Sequence, residues 1–264
     1  MAAIRPQCYC DCLNVPAQIR PLFFAAALLV AWYVAVHSQS AHLLPDPIQV
    51  LLGIGELAQR GLLLKYVVAS LFRVTWGFML AALIGIPTGL AIGWYRRAEM
   101  ALNPLLQIMR PISPLAWIPI AILWFGVGDG AAVFLIFLAS LLPLTLTAVN
   151  AVAGIPAVYI NAGRNFGLST PSLVVRVLYP AVMPQLIIGL RITLGIAWLV
   201  VVAAEMIAVN SGLGFLIVDA RNAGNRYDLV VAGMVLIGLI GLLLDTGMRS
   251  LEGIRSLRWG YSED

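Results

Sequence analysis

The sequence predicts an all-α membrane protein that crosses the bilayer six times. Of its 264 residues, 61% are hydrophobic and only 11% are charged, where a soluble domain carries about 25% charged residues. The apolar residues fall into runs long enough for helices to span lipid, in which every backbone polar group must be satisfied within the chain. The basic residues are divided unequally between the two sides that six crossings define.

The elements follow in order. Residues 1–20 read as a tail, with Cys8, Cys10 and Cys12 in close succession. A structural zinc site needs four ligands in paired spacing, so no metal site is expected and the thiols read as reduced. Arg20 precedes the apolar run 21–36, read as a retained first span rather than a cleaved signal. Residues 37–66 are more polar and hold an expected amphipathic helix near 47–60; His37 and His42, with no ligand-spaced partners, read as solvated. The second span, 67–94, carries Gly77, Gly85, Gly89 and Gly93. Such a small-residue stripe lets helices approach closely in lipid.

The third span, 104–125, is interrupted by Pro104, Pro111, Pro114 and Pro119. Broken backbone is tolerated at membrane depth where it lines a cavity, so this segment is the first candidate for a pathway wall. Spans four, five and six are expected at 131–152, 185–208 and 229–244. Between the last two lies a loop at 209–227, rich in Gly, Asn and charge. The whole membrane domain then covers 21–248, with a polar loop at 153–184 and a tail at 249–264.

An even number of spans puts both termini on one side. Nine basic residues fall on that side: Arg5, Arg20, Arg96, Arg97, Arg164, Arg176, Arg249, Arg255 and Arg258. Four fall opposite: Arg60, Lys65, Arg221 and Arg226. The positive-inside rule therefore predicts cytoplasmic termini and a cytoplasmic loop 153–184 in an inner (plasma) membrane protein.

Lys65 is the only lysine, and Tyr66 follows it. A phosphate-wrapping P-loop needs Gly-Lys-Ser/Thr, so the chain is not an ATPase, and any ATP-driven step would fall to another polypeptide. A membrane-embedded enzyme would need a clustered nucleophile, base or metal set. No such set is evident, and nothing points to nucleic acid. An ion-coupled secondary transporter would need an internal repeat or mid-membrane acids.

Loop 153–184 predicts two short helices and a sharp bend. Residues 159–166 have helical character, Gly167 suits a left-handed helix end, and Ser169 or Thr170 with Pro171 suits the next helix start. The surface with Arg164 and Phe166 fits either a groove on a partner or the lipid headgroups.

This loop resembles the coupling motif of ABC-importer permeases: Glu-Ala-Ala, three residues, Gly, nine residues, then Ile-x-Leu-Pro. Asn161, Ala162, Gly163, Gly167, Val177, Tyr179 and Pro180 keep that spacing, with Asn161 in place of the glutamate and Gly163 in place of the second alanine. Residues 110–129 (RPISPLAWIPIAILWFGVGD) look like the third-span signature of the nitrate, bicarbonate, sulfonate and taurine permeases. Gly189, Leu190 and Arg191, then 197–206 (AWLVVVAAEM), look like their fifth span, and 212–217 (GLGFLI) with Asp219 and Ala220 fits the following loop.

The resemblance implies a type I ABC importer permease that works as a homodimer. A cytoplasmic ATPase subunit, which would hold ATP and Mg, would receive each loop, and an extracytoplasmic binding protein would deliver the solute. The permease itself would need no cofactor. Asn161, Ala162, Gly163, Arg164, Phe166, Gly167 and Pro180 are the expected coupling residues. Ser113, between two prolines, tilts the solute toward nitrate or bicarbonate, with an alkanesulfonate or taurine as the alternative.

Charges within the spans supply the remaining candidates. Glu205 lies about 20 residues into span five, roughly 30 Å along it, near the outer end. It is expected to meet Arg73, either as an ion pair that fixes helix packing, or as a gate or a contact to the delivery protein. Arg110 and Arg191 fall in the inner halves of their spans. They would favour a passing anion, or would snorkel to headgroups. Trp117 and Trp124 either line the path or face core and lipid, while Trp94 and Trp259 fit an interfacial belt.

Overall fold

The computed structural model describes residues 27, 30–37, 45–222 and 224–252. Among them every regular element is helical. Helix α1 is Pro47–Gln59, where an amphipathic helix was expected. Asp46 precedes it, donating its backbone N–H to Gln49 Oε1 at 3.2 Å, and Pro47 sits in the first turn, where its missing N–H costs nothing. Gly61, at φ 69°, turns the chain into α2, Leu62–Trp94.

Helix α3 is Arg96–Met109, followed by a 3₁₀ turn at Pro114–Trp117 and helix α4, Ile118–Phe125. Next come α5, Asp129–Ala153, and α6, Ala157–Asn165. The short α7, Thr170–Leu173, runs through a π turn, Val174–Leu178, into α8, Tyr179–Ala208. Helices α9, Leu213–Asn222, and α10, Tyr227–Glu252, complete the described chain.

Among the described residues, four helical segments are long and apolar enough to cross a membrane: Leu62–Trp94, Asp129–Ala153, Thr170–Ala208 and Tyr227–Ser250. The expected third span is not a straight crossing. Arg96–Met109 and Pro114–Phe125 meet at 81°, because Pro111 and Pro114 remove helix donors and Pro114 holds the residue before it, Ser113, extended at ψ 129°. Half of the expected first span, 21–36, lies outside the described residues; within it 27 and 30–36 are helical. Residues 1–20 and 253–264, with the three cysteines and Trp259, lie outside them as well, as does His42.

Helix α5 is the most enclosed of the spanning helices and α10 the least. The core forms where α2, α5 and α8 converge, around residues such as Val74, Ala81, Leu135, Ile136, Ala197 and Val201. The glycine stripe is the seam between α2 and α5. A Cβ on Gly89 would lie within 2.6 Å of both the Thr145 carbonyl oxygen and Ala148 Cβ, and one on Gly77 2.7 Å from Ile136 Cβ. Backbones this close gain dispersion contacts that lipid chains cannot match.

Because the nearest obstruction at Gly89 is backbone, a larger residue cannot be accommodated by a rotamer change. Gly89→Val is expected to cost at least the upper end of the about 1–3 kcal/mol typical of overpacking. The variant should show a lowered melting temperature and a broadened elution profile in detergent, while Gly55→Val, at an open position, should not.

Helices 62–94 and 227–250 run a few residues beyond the expected spans, and two departures are larger. The fifth span was expected from 185, yet the helix is continuous from Thr170. Pro180, Pro184 and Arg176 make that stretch read as a break. Instead Leu173 and Leu178 are buried, and the Tyr179 N–H reaches back five residues to the Val174 carbonyl. The wide turn thus forms beside Pro180, which has no N–H to donate. Within loop 209–227, α9 was not expected. Leu213, Leu216, Ile217 and Ala220 lie on one buried face at helical spacing, a signal too short to stand out among the glycines.

Candidate functional site

The structure gathers the functional candidates at three levels: the α6 loop at one end, a cleft at mid-height, and a charged knot at the end where α1 lies.

At the first level, α6 stops where Gly167 takes φ 75°. The Phe166 N–H bonds the Ala162 carbonyl, the Gly167 N–H the Arg164 carbonyl and the Leu168 N–H the Gly163 carbonyl, at 3.0, 2.9 and 3.1 Å. These bonds satisfy carbonyls that a helix end otherwise leaves open. Gly163 is the buried residue of α6, and a Cβ there would crowd Leu173 Cδ1 at 3.2 Å. Its small size lets α6 rest on α7 and the π turn. Asn161, Ala162 and Arg164 are exposed, Phe166 is 86% exposed, and Pro180 sits in the first turn of α8. An aromatic ring so open on a rigid, well-capped helix end is an unused contact surface.

At the second level, a cleft of about 460 Å³ opens between the bent α3–α4 segment, α5 and α8. Arg110 and Trp117 line it, with Gln107, Thr147 and Asn150 as further polar walls among apolar ones. Arg110 faces it without an ion pair among the described residues. Ser113 does not line the cleft; its Oγ accepts from the Leu115 N–H at 3.3 Å and starts the 3₁₀ turn. Arg191 is placed elsewhere, with Nε and Nη2 at 2.6 and 2.9 Å from the two oxygens of Asp245 on α10. Together with the bond from Trp198 Nε1 to the Ile237 carbonyl, 3.1 Å, that pair fastens α10 to α8. Gln107, Thr147 and Asn150 were missed in the sequence, although polar residues inside apolar spans are a recognised functional signal.

At the third level, Arg73 and Glu205 meet inside the protein, 2% and 0% exposed, with Nη1 2.7 Å from Oε1. Glu205 Oε2 accepts from Ser70 Oγ at 2.9 Å and from the Gly214 N–H at 3.0 Å. Ser70 Oγ accepts in turn from the Leu213 N–H at 3.0 Å. Arg73 also donates to the Ser211 carbonyl, to Ser211 Oγ and to Asp129 Oδ1. The knot therefore joins α2, the first residue of α5, the last turn of α8 and the start of α9. Gly212 and Gly214 are required beside it, since a Cβ on Gly212 would overlap the Glu205 carboxylate. Nearby, Arg226 ties α1 to the turn before α10 through Glu56 and Asp228, each at 2.7 Å. That guanidinium, bonded to the Glu56 carboxylate, holds it below the ordinary range.

Residues 81–253 match the model of the family described as "Binding-protein-dependent transport system inner membrane component". The chain is 35% identical over 249 residues to the nitrate import permease protein NrtB of Synechocystis, covering 90% of each chain. It is 35% identical over 236 residues to the taurine transport system permease protein TauC of Escherichia coli, covering 86% of this chain and 85% of that one. Among solved structures, an inward-facing form of the MetNI methionine ABC transporter has the same fold, with a TM-score of 0.64 at 20% identity, over 74% of this chain and 96% of that one.

Proposed function

The chain belongs to the family of binding-protein-dependent transport system inner membrane components, and from that premise we propose that it forms, as a homodimer, the pathway of an ATP-driven importer for a small anion, nitrate or bicarbonate. It is an ABC importer permease. The observation that carries the proposal is the α6 loop: a capped helix ending at Gly167, with Phe166 open to a partner.

In this reading a cytoplasmic ATPase subunit, holding ATP and Mg, seats each α6 in a groove, and its closure moves α6 as a rigid body. The continuous helix from Thr170 to Ala208 carries that movement along the whole span. The excess of basic residues on one side supports a cytoplasmic α6 end and cytoplasmic termini. A binding protein then delivers the solute at the opposite end, beside α1.

The cleft suits an anion. Arg110 supplies a cation without a competing carboxylate, and Gln107, Thr147 and Asn150 supply hydrogen-bonding groups at its wall. Equal identity to the nitrate and taurine permeases keeps taurine or an alkanesulfonate as a second reading. Proteoliposomes holding the permease, its ATPase and its binding protein, offered nitrate, bicarbonate and taurine in turn, decide between them. Uptake that needs ATP and favours an inorganic anion supports the proposal, while uptake without ATP overturns it. Arg110→Gln is expected to lower anion uptake by about tenfold with an unchanged melting temperature, the loss of one charged hydrogen bond worth about 1.5–3 kcal/mol. Unaltered uptake would remove Arg110 from the pathway.

A further inference from the structure

We propose that Asp129 is a gating residue: its carboxylate, held by the buried Arg73, latches the turn between α4 and α5 closed at the outer mouth, and transport requires that latch to release. This rests on the permease orientation proposed above.

The charged knot is asymmetric. Glu205, Ser70 and Arg73 are wholly enclosed, and the Leu213 and Gly214 amides donate to Ser70 and Glu205. Asp129 is 61% exposed, although it binds the same guanidinium at 2.7 Å. Water can replace Arg73 at Asp129 but cannot reach Glu205. Breaking the outer half of the knot leaves Arg73 charged and paired, so it is the inexpensive half to open.

The segment that Asp129 restrains is built to move. Gly126 and Gly128 have φ 74° and 156°, and a Cβ on either would meet nothing within 4 Å. The turn is therefore unpacked, and two polar ties hold it: Asp129 to Arg73, and the Gly128 N–H to the Ala208 carbonyl at 2.9 Å; α4 beside it is packed, with Ile118 and Ala121 buried and the Trp124 and Phe125 rings against Phe134. At its other end α4 meets the 81° bend after Met109. A short rigid helix with a break at each end is a lever, and the 3₁₀ turn leading into it puts Trp117 on the cleft wall. Release at Asp129 frees the turn, so that α4 can pivot about its buried Ile118 and Ala121, with its terminal rings sliding on Phe134, and open the cleft outward.

The test uses the full complex of permease, ATPase and binding protein in proteoliposomes. Cys8, Cys10 and Cys12 are changed to serine, and Leu146→Cys places a reporter on the cleft wall. An impermeant maleimide is added from outside, and ATP hydrolysis is measured without binding protein. Asp129→Asn is expected to raise both labelling and basal hydrolysis about fivefold, the population shift one half-exposed charged pair supplies. Asp129→Glu should return both toward the starting values, which a merely structural role does not predict. An Asp129→Asn complex that assembles, melts normally and labels like the parent overturns the latch.

Hydrogen exchange on the unaltered complex gives a second reading, independent of whether the variant assembles. With vanadate-trapped nucleotide the 126–129 amides should exchange faster, while those of Leu213 and Gly214 stay protected. Equal exchange of the turn in both states overturns the proposal. A parent complex that takes up no anion with ATP would instead count against the permease reading.

Discussion

Glu205→Ala is expected to destabilise the protein by about 3–5 kcal/mol, the cost of leaving a buried charge without its counterion. The substitution strands the Arg73 guanidinium, 2% exposed, and removes the acceptor for Ser70 Oγ and the Gly214 N–H. Asp129 and Ser211 still bind Arg73, so the loss should lie at the lower end of that range. Glu205→Gln keeps an acceptor oxygen and should fall between. The double change Arg73→Leu with Glu205→Leu should cost less than the sum of the two single changes, because neither partner is then left charged and alone. Thermal melting of the four proteins in detergent closes the cycle. Additive losses would mean that the pair does not act as a unit.

Gly167→Val is expected to leave a folded complex that no longer transports. The backbone there has φ 75°, and a Cβ would meet nothing. The damage is therefore conformational rather than steric. An L-residue in the left-handed region costs about 1–2 kcal/mol, and a β-branched one more. The strain relaxes by unwinding the end of α6, which moves Phe166 from the docking position proposed for it. Each 1.4 kcal/mol lost from the competent geometry is a factor of about ten in its population, so ATP-driven uptake should fall by about tenfold or more. Melting temperature should change little, since Phe166 and its neighbours on the loop are exposed. Full uptake would show that this bend does not transmit ATPase closure.

Much of this architecture was legible in the sequence because lipid enforces simple rules. The glycines at 77, 85, 89 and 93 announced a close helix seam, and that seam is α2 on α5. Ser169 and Pro171 marked a helix start, and a helix begins at Thr170. Depth alone brought Arg73 and Glu205 to one level, where the structure pairs them.

What stayed hidden depended on contacts between segments distant in the chain. Nothing local to Arg191 reveals Asp245, 54 residues later, as its partner. Ser70, Asp129 and Ser211 became members of the charged knot only when four elements met. Prolines misled in one place. At 111 and 114 they break the third span, as expected, whereas Pro180 and Pro184, read as part of a loop, are absorbed by a helix that continues through them. The difference lies in what surrounds them: Leu173, Leu178 and Val182 are buried on the continuous side, while α3 buries no residue.

The account stands or falls on α6 as the seat of an ATPase, and Phe166→Asp tests it most directly. The aspartate adds a charge to a position 86% exposed, so the permease itself should express and melt as before. Affinity purification of the permease co-expressed with its ATPase subunit is the measurement. The ATPase is expected to copurify with the parent protein and to be lost from the Phe166→Asp variant, together with ATP-driven uptake. Retention of the ATPase at the parent ratio, with uptake intact, would contradict it.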